Sequence, residues 1–160
     1  MHFSINSKRS ALSKQLELGQ RGEELAAAYL QQLGYRIVAT NFSLPVGRNR
    51  LGARINVEVD VVAYDGPVLC FIEVKSRASD WFAPPQVNVD RRKQRQVARA
   101  ARAYRRMFGL TNEPYRYDVV TIVFGEDADE PITPRIELLR SYWTEDQLRK
   151  RAWSNRYYEY

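Results

Sequence analysis

The sequence predicts an α/β domain, a single mixed β-sheet flanked by helices, with the element order α, β, β, β, α, β, β, α. Three observations predict it. The stretches Ile55–Tyr64 and Val68–Lys75 alternate in polarity on either side of an Asp65-Gly66-Pro67 turn. Two other stretches repeat apolar residues at helical spacing, one near the N-terminus and one beyond Asp90. The 160 residues are 44% apolar and 12% aromatic. That suits one ordinary domain burying roughly 70% of its unfolded surface, and it is too apolar for intrinsic disorder.

Residues 1–16 are polar and read as loose chain, so the folded domain is expected over 17–160. From Glu17 to Leu33 the pattern is helical, with Leu25, Ala28, Tyr29 and Leu33 recurring and Gly34 as the stop. Arg36–Thr40 is a short strand. Asn41–Arg54 carries Pro45, Gly47, Gly52 and three arginines (Arg48, Arg50, Arg54), and reads as a mobile basic loop. In the next strand Ile55, Val57, Val59, Val61 and Ala63 are expected on one face, with Asn56, Glu58, Asp60, Val62 and Tyr64 on the other. Val68–Lys75 alternates likewise, and 76–88, holding Trp81, Pro84 and Pro85, is a loop. Asp90 caps a helix to Phe108 whose apolar stripe is Val97, Ala100, Ala101, Tyr104 and Phe108. Tyr115–Phe124 is a strand, Gly125–Glu130 an acidic loop, and Arg135–Leu139 a final strand. Thr144 and Gln147 form a capping box for a short C-terminal helix.

Composition narrows the chemistry. One cysteine, Cys70, excludes an intrachain disulfide framework and a cysteine zinc cluster. One histidine, His2, excludes a His zinc site and a His-based triad. Catalysis must run on carboxylates, lysine and bound cofactors. The 25 Lys and Arg against 19 Asp and Glu give a net charge of +6, which favours an anionic partner, nucleic acid first. No run approaches the ~20 apolar residues of a membrane span. The basic N-terminus lacks the apolar core of a signal peptide, so a cytoplasmic protein is expected.

The sharpest pattern is Asp60, then twelve intervening residues, then Glu73-Val74-Lys75. Glu73 and Lys75 share a strand face, and a tight hairpin pairing residues that sum to about 131 puts Asp60 diagonal to Glu73. A two-residue change of register puts the two acids directly opposite. Two carboxylates and an ammonium converge either way. One reading is a salt-bridged sheet face. The other is a site for Mg²⁺ or Mn²⁺, since facing carboxylates repel unless a cation lies between them, and hard oxygen ligands suit these ions. Such a cation, with a lysine beside it, suits phosphodiester hydrolysis. Glu23 lies at the border of the first helix's apolar stripe. It is either a third acid reaching the sheet or a surface glutamate near a helix N-terminus.

A family resemblance rests on these residues. Gly19-x-x-Gly22-Glu23, Ala27, Tyr29-Leu30, Gly34-Tyr35 and Asn41 resemble the opening of the YraN-type family of proposed endonucleases. Glu58-Val59-Asp60-Val61-Val62-Ala63 is similar to its E-I-D-L-I-A segment, and Phe71-Ile72-Glu73-Val74-Lys75-Ser76-Arg77 to its F-V-E-V-K-x-R strand. The helix around Lys93 and Tyr115–Val120 fit its later pattern, so the match spans about 19–124, with 125–160 as a C-terminal extension. The resemblance implies the restriction-endonuclease-like fold of the PD-(D/E)XK superfamily, related to archaeal junction resolvases. It implies a catalytic set of Glu23, Asp60, Glu73 and Lys75, with Asp60, Glu73 and Glu23 around the metal. The sequence departs from the family in its longer basic insertion between Asn41 and Glu58, and in Val57 where a glycine is usual.

Residues 91–112 hold eight basic residues and no acid. Arg95, Arg99, Arg102 and Arg106 form one helical stripe, either a solvated face or a track for phosphates, and same-sign charge favours the track. Lys93 lies nearer the Val97 side, within approach of the carboxylates, and is grouped with the nucleic-acid contacts. The aromatic tail (Tyr142, Trp143, Trp153, Tyr157, Tyr158, Tyr160) packs on the domain or a partner, or stacks on bases. Three functions compete: a metal-dependent endonuclease on DNA, branched or flapped forms included; a nucleic-acid-binding module that does not cleave; and a protein-interaction module. Lys75 favours the first, because a non-cleaving module has no need of it. A homodimer fits any of them.

Overall fold

The computed structural model describes residues 4–78, 89–125 and 133–154. The element order is α1 (Ser4–Gln32), β1 (Arg36–Arg48), β2 (Arg54–Asp65), β3 (Val68–Arg77), α2 (Arg91–Met107), β4 (Tyr115–Val123), β5 (Arg135–Trp143) and α3 (Glu145–Ser154). The strands form one sheet in the order β1-β2-β3-β4-β5. Every pair is antiparallel except β3 and β4, which run parallel because α2 crosses over between them. This is the predicted α/β fold with helices on both faces, compatible with a restriction-endonuclease-like architecture.

Two apolar layers hold it. On one face Ala26 and Leu30 of α1 pack on Val61, Ala63, Cys70, Ile72, Val120 and Ile122. On the other, Val97, Ala100, Ala101 and Tyr104 of α2 pack on Val59, Val62, Phe71, Val119 and Trp143. Asp90 accepts a hydrogen bond from the Lys93 backbone N–H at 2.8 Å, the expected N-cap. Trp143 stacks on Tyr117, centroids 4.9 Å apart, and is buried in this layer. That part of the aromatic tail packs on the domain; Trp153, Tyr157, Tyr158 and Tyr160 lie outside the described side chains.

Several expectations are corrected. Helix α1 starts at Ser4, so residues 4–16 are helical; they contain no Gly or Pro, and Ala11, Leu12, Lys14, Gln15 and Leu16 are good helix formers. The basic insertion is a β-hairpin extension: β1 continues through Arg48 and β2 begins at Arg54. Phe42, Leu44 and Val46 face the α2 side, a strand signal hidden by Pro45 and Gly47, where a bulge absorbs both. Asn49 closes the turn, its side-chain oxygen accepting from Leu51 and Ala53 N–H. Strand β5 runs on to Trp143, past a bulge at buried Asp118, whose carboxylate accepts from Ser141 N–H and from Arg116. The loop 79–88 and residues 126–130 of the acidic loop lie outside the described residues.

The alternation expected along β2 breaks at Asp60. Val57 and Val59 belong to the α2 side, but Val61 and Ala63 belong to the α1 side. The neighbouring strand slips at the same level, from Ala39 to Phe42 on the α2 side, with Asn41 at φ 51°. The sheet therefore changes face at Asn41 and Asp60.

Gly22 sets how closely α1 approaches the sheet. A Cβ there would meet the Ser76 Oγ and lie 3.0 Å from the Ser76 Cβ. Gly22→Ala is expected to destabilise the fold by about 1–3 kcal/mol despite its better helix propensity. Adding Ser76→Gly should restore most of the loss. Thermal unfolding of the single and double variants checks this, and a Gly22→Ala protein as stable as wild type refutes the close packing.

Candidate active site

The site forms where two strands part. The β2–β3 ladder runs from Asp65↔Val68 to Val61↔Ile72, in the register whose sums are 133 and not 131. The next step brings Asp60 abreast of Glu73, the alternative register that sets the two acids opposite. The recorded pairing ends there, and a side chain closes the gap: Asp60 Oδ2 accepts from Val74 N–H at 2.8 Å. Beyond it β2 pairs with β1 and β3 with β4, which leaves a cleft between them.

Glu73 is 3% exposed. Its Oε1 lies 3.7 Å from Lys75 Nζ and 3.4 Å from Lys93 Nζ. Among the described residues its Oε2 is buried and meets no hydrogen-bond donor, and the carboxyl lies against that of Asp60. Burial first, and then the Asp60 charge, push the Glu73 carboxyl up to about 7, against the pull of Lys93 and Lys75. Glu23 is also raised, by burial and then by Asp60, while a hydrogen bond with the Asn41 side chain lowers it. Asp60 is thus the middle of a line of acids, Glu23–Asp60–Glu73. Among the described residues no three acid, His or Cys side chains converge as a ready-made ligand group. The two that stand together are Asp60 and Glu73. The orphaned Oε2 next to a second carboxylate is the observation that a hard divalent cation fits, because such an ion would satisfy the oxygen and relieve the repulsion.

Lys93 stands apart from the arginines. It lies on the sheet-facing side of α2 with Val97, against Glu73, whereas Arg95, Arg99, Arg102 and Arg106 are exposed on the outer side. Arg99 donates to the Val46 carbonyl at 3.1 Å, and Arg102 pairs with Glu145 at 3.0 Å. Shallow grooves of about 350 Å³ flank the stripe, one toward Val46 and one toward α3. Asn41, which the sequence marked only as a motif residue of the resemblance, joins the site through its side-chain hydrogen bond with Glu23.

The family model described as Uncharacterised protein family UPF0102 matches residues 22–122. A UPF0102 protein of Geobacter sulfurreducens is 43% identical over 121 residues, covering 75% of this chain and 83% of its own. One from Koribacter versatilis is 39% identical over 126 residues, 79% of this chain and 78% of its own. One from Desulfosudis oleivorans is 34% identical over 130 residues, 81% and 92%. Among the described residues no helix is long and apolar enough to cross a membrane. The matched span takes in Glu23, Asp60, Glu73, Lys75 and Lys93 together, and the chain belongs to the UPF0102 family, the YraN-type family that its motifs resemble.

Proposed function

We propose that the protein is an endonuclease that hydrolyses phosphodiester bonds in DNA with the help of Mg²⁺ or Mn²⁺. The observation that carries this reading is the pair Asp60 and Glu73 at the parting of β2 and β3, with one Glu73 oxygen orphaned and the other faced by Lys75 and Lys93. Asp60 and Glu73 would hold the cation, with Glu23 supporting Asp60 from α1. When bound, the cation supplies charge stabilisation for the phosphate oxygens and lowers the pKa of water. The hydrolysis forms a bond from a water oxygen to phosphorus and breaks one ester P–O bond, and a proton passes to the departing oxygen. The Val74 N–H fixes the Asp60 carboxylate so that it does not rotate during the reaction. The Lys75 ammonium, 40% exposed, reaches the cleft and offsets negative charge growing on the phosphate. Lys93 balances the charge of Glu73 from the opposite element.

The exposed, same-sign arginine stripe of α2, which needs no cleavage to hold phosphates, favours a non-cleaving binding module as the second reading. Incubation with single-stranded, duplex, flap and four-way DNA in Mg²⁺, Mn²⁺ or EDTA separates the two. Cleavage is expected with either ion and none in EDTA. Lys75→Ala should lose cleavage by at least about a hundredfold and keep DNA binding, since its role lies in the transition state. Binding without cleavage on every substrate gives the second reading.

A further inference from the structure

Two glycines of α1 contrast. Gly22 is required by packing, since a Cβ would strike Ser76. Gly19, one turn earlier, has nothing among the described residues within 4 Å of the place its Cβ would take. It has no positive φ that would call for glycine. Within a helix it weakens the fold by about 1 kcal/mol relative to alanine. Neither packing nor backbone conformation among the described residues accounts for it. Its surroundings do: Gly19 lines a groove of about 520 Å³ between α1 and the end of β3, shared with Gln15, Glu23, Lys75, Ser76 and Arg77.

We infer that this groove receives one strand of the nucleic acid beside the scissile phosphate, and that Gly19 is the bare backbone against which the strand lies. The inference rests on the nuclease reading for its choice of ligand. Lys75 and Glu23 belong at once to the groove and to the candidate site, so a chain leaving the reacting phosphate enters the groove directly. The wall sets the Gln15 amide, the Ser76 hydroxyl and the Lys75 ammonium, groups that bind phosphate and sugar without reading bases, beside the Glu23 carboxylate and the apolar Leu18, Val74 and Ala78. Its volume lies in the ~300–1,000 Å³ range of pockets that take a small molecule, which suits a nucleotide or two and not a duplex.

The experiment compares Gly19→Ala, Gly19→Leu and, as an added-bulk control on another side of α1, Gln20→Leu. Gly19→Ala should raise Tm by about 3 °C, because helix propensity improves and nothing is struck. Gly19→Leu should weaken binding of a ten-nucleotide fluorescent single-stranded DNA in EDTA about tenfold and raise KM for cleavage similarly, with kcat little changed. Gln20→Leu should do neither. A fall in Tm for Gly19→Ala overturns the inference, because the space is then filled by the protein itself. Wild-type binding and KM in Gly19→Leu overturn it while leaving the nuclease reading intact, and equal weakening for duplex and single strand removes the single-strand assignment. Lost oligonucleotide binding in Gly19→Leu from a wild type that cleaves nothing keeps the groove and refutes the nuclease. A wild type that binds no oligonucleotide refutes both.

Discussion

Glu73→Gln is expected to reduce divalent-dependent cleavage by roughly a thousandfold while making the protein more stable at pH 8. The loss follows from removing one of the two carboxylates that would hold the cation, a contribution of several kcal/mol in the transition state. The gain follows from the cost of a charge at a 3%-exposed position. Glutamine fits both neighbours: its carbonyl oxygen can accept from the lysines that now face Oε1, and its amide can donate to Asp60, where Glu73 presents a bare Oε2.

The pH dependence fixes the sign. The folded carboxyl titrates at about 7, above its ordinary value of 4.5. Between these two values the folded state binds the proton that the unfolded state has released, so this group's contribution falls as pH rises through that window and is lost above it. The stability advantage of Glu73→Gln should therefore be small near pH 4.5, grow to pH 7 and level off near 1–3 kcal/mol. Urea unfolding in EDTA across pH 4.5–8.5 measures it. Mn²⁺ should narrow the gap, because a bound cation stabilises only the carboxylate protein. A variant less stable than wild type at pH 8, or one that cleaves normally, removes Glu73 from the role assigned to it.

The convergence of Asp60, Glu73 and Lys75 was legible because strand periodicity fixes which neighbours share a face and an Asp-Gly turn fixes approximate register, whereas Glu23, on α1, was assigned to the site only by the family resemblance. The register itself was legible only to within two residues, since Asp65-Gly66-Pro67 permits more than one turn; the observed pairing of Val61 with Ile72 settled it. Local pattern failed where tertiary structure overrides it. The slip of faces at Asp60 is invisible to alternation, because valine stands on both sides of it at positions 57, 59, 61 and 62 and suits either apolar layer. The β1 extension was masked by Pro45 and Gly47, breakers that a bulge accommodates. Residues 9–17 of α1 are exposed, with Leu12 60% and Leu16 73% accessible, so no buried stripe marked them as helix. Gly22 was visible as a motif letter, but its reason, the Ser76 side chain, required the packing of α1 on β3.

Changing Arg95, Arg99, Arg102 and Arg106 together to glutamine is expected to weaken binding to every DNA sequence alike and to flatten the salt dependence. Four phosphate contacts correspond to a change of about 3.6 in the slope of log K against log salt for duplex, and about 2.8 for single strands. The four are not equivalent. Arg102 is engaged by Glu145 and Arg99 by the Val46 carbonyl, so each must release a partner to meet a phosphate. Arg95→Gln with Arg106→Gln should thus account for half or more of the change. It should leave stability within about 0.5 kcal/mol of wild type. Arg102→Gln adds a modest destabilisation, because Glu145, which also accepts from Tyr117 and Tyr115, loses its cation. The stripe occupies the side of α2 turned away from the sheet, so cation affinity at Asp60 and Glu73 should hardly change, and KM should rise with kcat preserved. Titrations of one duplex and one branched DNA at several salt concentrations decide it. An unchanged slope on both means that the outer face of α2 carries no DNA, and that all phosphate contacts are made from the Lys93 side, at the cleft itself.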